Sequence, residues 1–288
     1  MHLMIFGAGY SGKAIATALA PSASQVAGTT RSAEKAADLG HCGMEAFVFD
    51  GKTIDPALGH KLSCVTHLVQ SIPPGPDGDS LLNIASNTAH SELPDLQWLC
   101  YLSTVGVYGD HDGAWVDETS ECRPTSERSK QRLAAEQQWL ETGAKHGLPV
   151  AILRLSGIYG PGRNPFRKLL DGTAQRVIKK GQVFNRIRVE DIAYAVAFLA
   201  EREIGGIFNV TDDEPAPPQD VITEAARLMG IEPPPEVPFE EADMTPMARS
   251  FWGENKRVSN AKLRKLGYEF EFPNYRQSLK QLWDMRAY

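Results

Sequence analysis

One glycine-rich segment near the start of the chain constrains the fold more than any other feature. The segment "LMIFGAGYSGKAIATAL" places Gly7, Gly9 and Gly12 in G-x-G-x-x-G spacing, between a short strand pattern and a helix pattern. A tight turn of this kind is typical of β-α-β units, in which successive strands run parallel. We therefore expect strands and helices to alternate along the chain.

The next segments continue this alternation. Runs of strand-forming residues alternate with helix-like segments, and these runs are "QVAGTT", "EAFVFD", "THLVQSI", "QWLCYLS" and a late "VAILRLSGIYG". The pattern predicts an α/β fold with a Rossmann-like, doubly wound parallel sheet over residues 1–155. After Pro161, proline clusters interrupt the pattern. We therefore predict that residues 156–288 form mainly a small C-terminal α/β lobe, with some segments returning to the Rossmann domain.

The composition argues against several classes of function. The 288 residues carry a net charge of -6, and the 30 Lys and Arg residues form no basic run, which disfavours nucleic-acid binding and a polybasic membrane anchor. No stretch approaches the roughly 18 apolar residues of a membrane helix. The four cysteines and seven histidines lack metal-ligand spacing, so we expect no metal and a reduced, cytoplasmic environment. The expected partners are small molecules, with a homodimer as a further expectation.

The glycine loop predicts a dinucleotide site. The first glycine permits the tight turn, the second lets the backbone approach a pyrophosphate, and the third lets the helix pack on its strand. The N-terminus of the helix faces the anion, so Tyr10 and Ser11 also belong to the predicted site. The alternative is a glycine-rich turn that holds no ligand.

The residues after the second strand predict which dinucleotide binds. A site for NAD(H) has an acidic residue there for the ribose 2′-hydroxyl, whereas this chain has Thr30, Arg31 and Ser32. An arginine guanidinium matches a 2′-phosphate, and hydroxyl groups can add hydrogen bonds. We predict that the site binds NADP(H) in preference to NAD(H), which remains the alternative cofactor. The alternative interpretation of Arg31 is a solvated loop residue. Asp50 either lies beside the adenine or caps its own strand.

Five later segments resemble those of one family, in the same order. They are "YLSTVGVYGD", "LRLSGIYGPGR", "RIRVEDIAYAVAFLA", "IFNVTDDEP" and "KRVSNAKLRKLGYEFEFPNYRQSL". With the glycine loop, they resemble the extended short-chain dehydrogenase/reductase superfamily of the NAD(P)-dependent epimerase/dehydratase type, particularly its atypical members. The resemblance implies an oxidoreductase or epimerase/dehydratase-like enzyme. It also implies that a small hydroxylated or nucleotide-linked substrate binds mainly in the C-terminal lobe.

The resemblance also implies which groups react. It places Thr104 at the family's catalytic hydroxyl position and Lys130 at the lysine of Y-x-x-x-K, which binds the nicotinamide ribose. Ser126 stands where the proton-transferring tyrosine would be, and a serine hydroxyl replaces it poorly near neutral pH.

Three explanations remain open for the missing tyrosine. Tyr108 supplies the proton, unless it is a packed loop tyrosine. Alternatively, Thr104, Ser126 and Lys130 hold the substrate while a water chain moves the proton. In the third, the protein is a non-catalytic NADP(H)-binding sensor or regulator with a protein partner.

Two further groups of residues are candidates for ligand contacts. The segment "SIPPGPDGDS" follows the fourth strand, so Ser71 is predicted to contact the cofactor, and the segment forms either a lid or a surface connection. Three arginines of the lobe either recognise a phosphate or carboxylate or are surface charges; they are Arg163, Arg167 and Arg176.

Overall fold

The alternating strands and helices form a seven-stranded parallel sheet, which confirms the predicted Rossmann-like α/β fold. The computed structural model describes residues 1–88 and 93–288. The strands, in order across the sheet, are β3 (Glu45–Val48), β2 (Gln25–Thr30), β1 (His2–Phe6), β4 (His67–Gln70), β5 (Trp98–Thr104), β7 (Val150–Leu155) and β11 (Gly206–Val210).

The order of strands reverses beside β1, and this reversal locates the ligand crevice. β1 pairs in parallel with β2 on one side and with β4 on the other, so that Met4 faces both Ala27 and Leu68. The chain builds one half of the sheet outward from β1 and then returns to build the other half. In open α/β sheets, ligands bind at the carboxyl ends of the strands at such a reversal.

Helices connect the strands, and several begin where a polar side chain caps the backbone. These helices are α1 (Tyr10–Leu19), α2 (Ala33–His41), α3 (Pro56–Leu62), α4 (Ser80–Thr88), α5 (Glu127–His146) and α7 (Val189–Ala200). Ser32, Asp55 and Ser126 each accept a hydrogen bond from a backbone N–H three residues later, as favourable N-cap residues do. α5 ends at Gly147, whose positive φ of 64° suits a helix C-cap.

The chain divides into two compact units, and each unit is built from three separate stretches of the sequence. The first comprises Met1–Val107, Pro124–Arg154 and Ile192–Phe208, and the second comprises the three intervening and following stretches. Residues 108–123, which the sequence pattern assigns to the Rossmann domain, lie in the second unit. Within residues 1–88 and 93–288, the structure contains no helix that combines the length and the hydropathy of a transmembrane span.

The second unit is built from short strand pairs and helices around its own core. Its strands are β6 (Trp115–Val116), β8 (Gly157–Tyr159), β9 (Arg176–Ile178), β10 (Arg186–Arg188), β12 (Glu236–Pro238) and β13 (Arg257–Val258). Its helices are α6 (Pro165–Leu170), α8 (Pro218–Met229), α9 (Pro246–Ser250), α10 (Ala261–Lys265) and α11 (Tyr275–Asp284). Phe166, Ala225 and Leu279 are among the buried residues where α6, α8 and α11 pack together.

A buried histidine, His67, stands at the start of β4 and makes hydrogen bonds through both ring nitrogens. The Nε2 atom of His67 lies 3.2 Å from the carbonyl oxygen of Ala200, which can only accept, so Nε2 carries the hydrogen. Nδ1 then accepts from the Thr66 hydroxyl 2.9 Å away. Burial lowers the pKa of His67 below its ordinary value, because the charged imidazolium loses its hydration.

We expect His67 to make the protein less stable in mild acid. Since the folded-state pKa is below the unfolded value of about 6.5, the unfolded chain takes up more protons as the pH falls below 6.5. The contribution of neutral His67 to the free energy of unfolding is complete above pH 6.5 and is lost as the pH falls toward the folded-state pKa. Urea unfolding should show a smaller loss of unfolding free energy between pH 7 and pH 5 for His67→Gln. An identical pH dependence in the two proteins would contradict this expectation.

Candidate functional site

The turn after β1 has the geometry that its three glycines predict. Gly7 has a φ of +78°, a conformation that residues with a Cβ rarely adopt. A Cβ atom at Gly7 would also lie 2.8 Å from Cγ1 of Ile72. A Cβ at Gly12 would lie 3.2 Å from Cγ2 of Ile5, so the third glycine lets α1 pack closely on β1.

The start of α1 leaves space for a ligand. Gly9 is the N-cap residue and no side chain caps this helix, whose first intrahelical hydrogen bond runs from Lys13 N to Gly9 O over 2.9 Å. A Cβ added at Gly9 would meet only the carbonyl oxygen of Gly7, 3.9 Å away. The first turn of α1, which contains Tyr10 and Ser11, therefore presents an N-terminus with open space before it, as an anion site requires.

A buried threonine that the sequence analysis missed fixes this turn. Thr29 accepts a hydrogen bond from Gly7 N through its hydroxyl (3.0 Å), and its carbonyl oxygen accepts from Ala8 N (2.8 Å). Side chains alternate along a strand, and Thr29 shares the inward face of β2 with buried Ala27. Because a buried hydroxyl needs a hydrogen-bond partner, this inward polar residue was a usable signal.

Arg31 stands exposed directly after β2. In the described part of the chain, its guanidinium takes part in no hydrogen bond or ion pair. Its neighbours are engaged, since the Ser32 hydroxyl accepts from Lys35 N (3.4 Å) to cap α2 and the Thr30 carbonyl accepts from Phe49 N (2.8 Å). Arg31 can therefore turn toward an anion without breaking an internal contact.

The carboxylate of Asp50 is used in its own turn. Its Oδ1 accepts from the backbone N–H groups of Lys52 (2.8 Å) and Thr53 (3.3 Å). These hydrogen bonds, that of Lys52 first, lower the pKa of Asp50. The geometry favours the local structural role over contact with an adenine.

The end of β5 meets the start of α5 through small polar residues. The Thr104 hydroxyl accepts from Gly106 N (3.1 Å), and a Cβ at Gly106 would lie 2.9 Å from the Ser129 hydroxyl. The Ser126 hydroxyl accepts from Ser129 N (3.2 Å) and donates to Ser129 Oγ (2.9 Å). The Ser126 hydroxyl is thus engaged as the N-cap of α5, a position that favours serine.

Lys130 and Tyr108 differ in how firmly they are held. The ammonium of Lys130 lies 2.7 Å from Oε1 of Glu127, and the lysine side chain is 53% exposed. Tyr108 belongs to the second unit, where it is buried and its hydroxyl donates to Oδ1 of Asn209 (2.8 Å). The geometry favours a packing role for Tyr108 and leaves Lys130 able to change partner.

A buried ion pair joins α5 to β7 in the first unit. Glu136 of α5 pairs with Arg154 of β7 at 2.8 Å, and the two side chains are only 2% and 4% exposed. The hydroxyl of Ser103, which precedes Thr104, donates to the same carboxylate. The three side chains join the end of β5, the middle of α5 and β7, so they hold the strand that ends at Thr104.

The arginines proposed for anion recognition are mostly engaged locally. Arg167 pairs with Asp171 (3.1 Å), and Arg176 pairs with Glu236 (2.9 Å). Arg163 exchanges backbone hydrogen bonds with Gly160 in a turn. The exposed side chain of Arg167 favours the surface-charge interpretation, whereas Arg176 is only 18% exposed and also donates to the carbonyl of Pro234 (3.2 Å), which indicates a structural role. Among the described residues, no group of three acidic, histidine or cysteine side chains could hold a metal ion.

Comparison with known proteins identifies similar chains. The model of the NAD dependent epimerase/dehydratase family matches residues 3–211. Protein YeeZ of Escherichia coli K12 is 28% identical, over 94% of this chain and 96% of that protein. The solved structure of a conserved protein of unknown function from Silicibacter pomeroyi is 44% identical, with a TM-score of 0.88 over 100% of this chain and 99% of the other.

A more distant structure shows the same fold with a cofactor. UDP-glucuronic acid 4-epimerase from Bacillus cereus, solved in complex with NAD, has a TM-score of 0.77 over the full length of both chains. At 18% identity, this similarity concerns the fold alone.

Proposed function

Because this chain belongs to the NAD dependent epimerase/dehydratase family, we propose that it binds NADP(H) and acts as an oxidoreductase or epimerase/dehydratase-like enzyme. The observation that carries the proposal is the combination of the glycine turn, the open N-terminus of α1 and the unengaged Arg31. The turn fits a pyrophosphate, and Arg31 stands where a 2′-phosphate distinguishes NADP(H) from NAD(H). The Bacillus cereus enzyme was solved with NAD, so the proposed preference for NADP(H) rests on Arg31 of the present chain and not on that relative.

The residues around the carboxyl ends of the strands have distinct roles in this proposal. Bound nicotinamide would supply hydride transfer. The first turn of α1 would hold the pyrophosphate, and Arg31 the 2′-phosphate. The Thr104 hydroxyl would donate a hydrogen bond to the reacting oxygen of the substrate. The backbone N–H of Gly106 holds this hydroxyl, and the buried ion pair holds the strand that ends at Thr104.

A small hydroxylated or nucleotide-linked compound remains the proposed substrate class. The family supports this choice, since relatives such as the Bacillus cereus enzyme are named for nucleotide sugars. The proton would pass through ordered water between the substrate and bulk solvent, because Ser126 is engaged as a helix cap and Tyr108 is packed.

A second candidate function is favoured by the same serine. Ser126, which stands at the position of the family tyrosine, caps the start of α5 and is a poor acid/base near neutral pH. A protein of this kind would bind NADP(H) without turnover and act as a sensor or regulator of a protein partner. The two candidates differ in whether added nucleotide sugars are converted, either with net oxidation of NADPH, as by a reductase, or without it, as by an epimerase or dehydratase.

Fluorescence titration of the purified protein with NADPH and NADH tests the proposal. We expect NADPH to bind at least tenfold more tightly than NADH. A tenfold difference corresponds to about 1.4 kcal/mol, which one hydrogen bond to a charged group can contribute. Equal binding would remove the proposed preference, and binding of neither nucleotide would refute the proposed function. Subsequent addition of UDP-sugars with NADPH or NADP⁺, followed both at the absorbance of NADPH and by chromatography of the sugar nucleotides, separates the enzyme from the regulator, because an epimerase or dehydratase converts the sugar without net use of the cofactor.

Replacing Lys130 by alanine should weaken NADPH binding about tenfold, since a hydrogen bond to a charged group contributes roughly 1.5–3 kcal/mol. Replacing Glu127 by glutamine should strengthen it, because the carboxylate that holds Lys130 is removed. Lys145→Ala, at the far end of α5, is the matched control and should leave the affinity unchanged. Equal NADPH affinities for Lys130→Ala and wild type would exclude Lys130 from the site.

A further inference from the structure

Two buried polar side chains stand at the two ends of the loop that follows β4. Gln70 is the last residue of β4 and Asp79 immediately precedes α4, and both are 0% exposed. The Nε2 atom of Gln70 lies 2.9 and 3.0 Å from the two carboxylate oxygens of Asp79. Oδ1 of Asp79 also accepts from the backbone N–H groups of Leu81 (2.9 Å) and Leu82 (3.2 Å).

The hydrogen bonds continue from Gln70 to the glycine turn. Oε1 of Gln70 accepts from the backbone N–H of Ile72 (3.2 Å), and Ser71 N donates to the carbonyl of Phe6 (2.9 Å). Ile72 is the residue that closes against Gly7. A continuous set of contacts therefore joins the start of α4, through Asp79 and Gln70, to the turn that would hold the pyrophosphate.

This arrangement goes beyond what a helix cap needs. Asp55, the cap of α3, accepts from Leu58 N (2.9 Å) with an exposed side chain. Asp79 performs the same function fully buried, and burial raises its pKa because the carboxylate loses its hydration. Burying a carboxylate is costly unless its hydrogen bonds are made, and here Gln70 provides two of them. The additional partner holds one end of the loop to the other.

The position of the loop relates it to one half of the dinucleotide. β2 and β4 lie on opposite sides of β1. The adenosine half of a dinucleotide lies toward β2, where Arg31 stands, and the other half passes over the glycine turn toward β4. We propose that Gln70 and Asp79 are positioning residues that hold the 71–79 loop as a fixed wall beside the nicotinamide half of NADP(H). The inference rests on the proposed function.

The test compares two ligands on one set of variants. Adenosine 2′,5′-bisphosphate carries the 2′-phosphate and lacks the nicotinamide half. In Asp79→Asn, the new side-chain NH₂ group faces the NH₂ group of Gln70, so a donor replaces an acceptor. The remaining side-chain oxygen still accepts from the backbone at the start of α4. We expect NADPH to bind about tenfold more weakly to this variant, as loss of a buried hydrogen-bond partner would cause. Adenosine 2′,5′-bisphosphate should bind as it does to the wild type.

A compensating variant and a control make the result specific. In the double variant Gln70→Glu with Asp79→Asn, the new carboxylate accepts from both Ile72 N and the asparagine amide, so NADPH affinity should recover. Asp55→Asn changes an N-cap outside the site and should leave both affinities unchanged.

The outcomes separate this inference from the proposed function. Unchanged NADPH binding by Asp79→Asn, equal losses for the two ligands, or no recovery in the double variant would overturn the positioning role. The ratio of the two affinities is taken from the same folded preparation, so partial unfolding does not alter it. Failure of the wild type to bind either dinucleotide would overturn the proposed function and this inference with it.

Discussion

Replacing Arg31 by alanine is expected to weaken NADPH binding about 100-fold. A phosphate bound by both arms of a guanidinium receives charged hydrogen bonds of roughly 1.5–3 kcal/mol each, and about 1.4 kcal/mol corresponds to a tenfold change in affinity. NADH has no 2′-phosphate, so its affinity should remain the same. The ratio of the two affinities, measured by fluorescence titration, therefore reports on Arg31 alone.

The exposed side chain of Arg31 makes this experiment easy to interpret. Because its guanidinium has no internal partner among the described residues, alanine removes no contact that stabilises the fold. Arg202, which lies two residues after α7 and is 51% exposed, is a control of the same charge, and Arg202→Ala should bind both nucleotides as the wild type does. An equal loss of NADPH and NADH affinity in Arg31→Ala would show that the residue contacts a part common to both.

Replacing Glu136 by alanine should have the largest effect on stability, a loss of about 3–5 kcal/mol in the free energy of unfolding. Removal of one partner leaves the other charge buried, which is more costly than the pair itself is favourable. The Arg154 side chain is only 4% exposed, so water cannot replace the carboxylate easily. Urea unfolding at neutral pH measures the loss. A change below about 1 kcal/mol would contradict this account.

Two further variants show whether the unpaired charge is the cause. Glu141→Ala removes an exposed carboxylate from the same helix and should change stability by no more than about 0.5 kcal/mol. Replacing Glu136 by leucine together with Arg154 by methionine removes both charges, so the loss should be smaller than for Glu136→Ala. An equal loss in the double variant would point to packing rather than charge.

The sequence predicts the fold and the glycine turn because both depend on local patterns. Strand β1 and helix α1 are recognisable from neighbouring residues, and Gly7 and Gly12 have the local geometry that their spacing predicts. The family resemblance is confirmed by the match over residues 3–211. The roles of the site residues stay predictions, although the contacts of Asp50 and Tyr108 favour structural roles.

Contacts between distant segments could not be predicted in the same way. Glu136 and Arg154 are separated in the chain and read as ordinary charged residues until α5 and β7 are placed together. Asp79 lies in a segment whose proline and glycine content indicated only a loop, and Gln70 ends the strand before it, so no local pattern predicted that the two side chains pair. Residues 108–123 contain a two-residue strand that is too short to give a pattern.

The interrupted path of the first unit affects how the protein folds during synthesis. β7 consists entirely of buried residues, and its outer neighbour β11 comes about 50 residues later in the chain, at Gly206–Val210. Until the ribosome has made that segment, one side of β7 remains an apolar edge with unpaired backbone groups, the kind of surface that recruits other strands. The nascent chain therefore cannot complete its nucleotide-binding unit first and the other unit afterwards. Much of the second must be synthesised before the first can close its sheet.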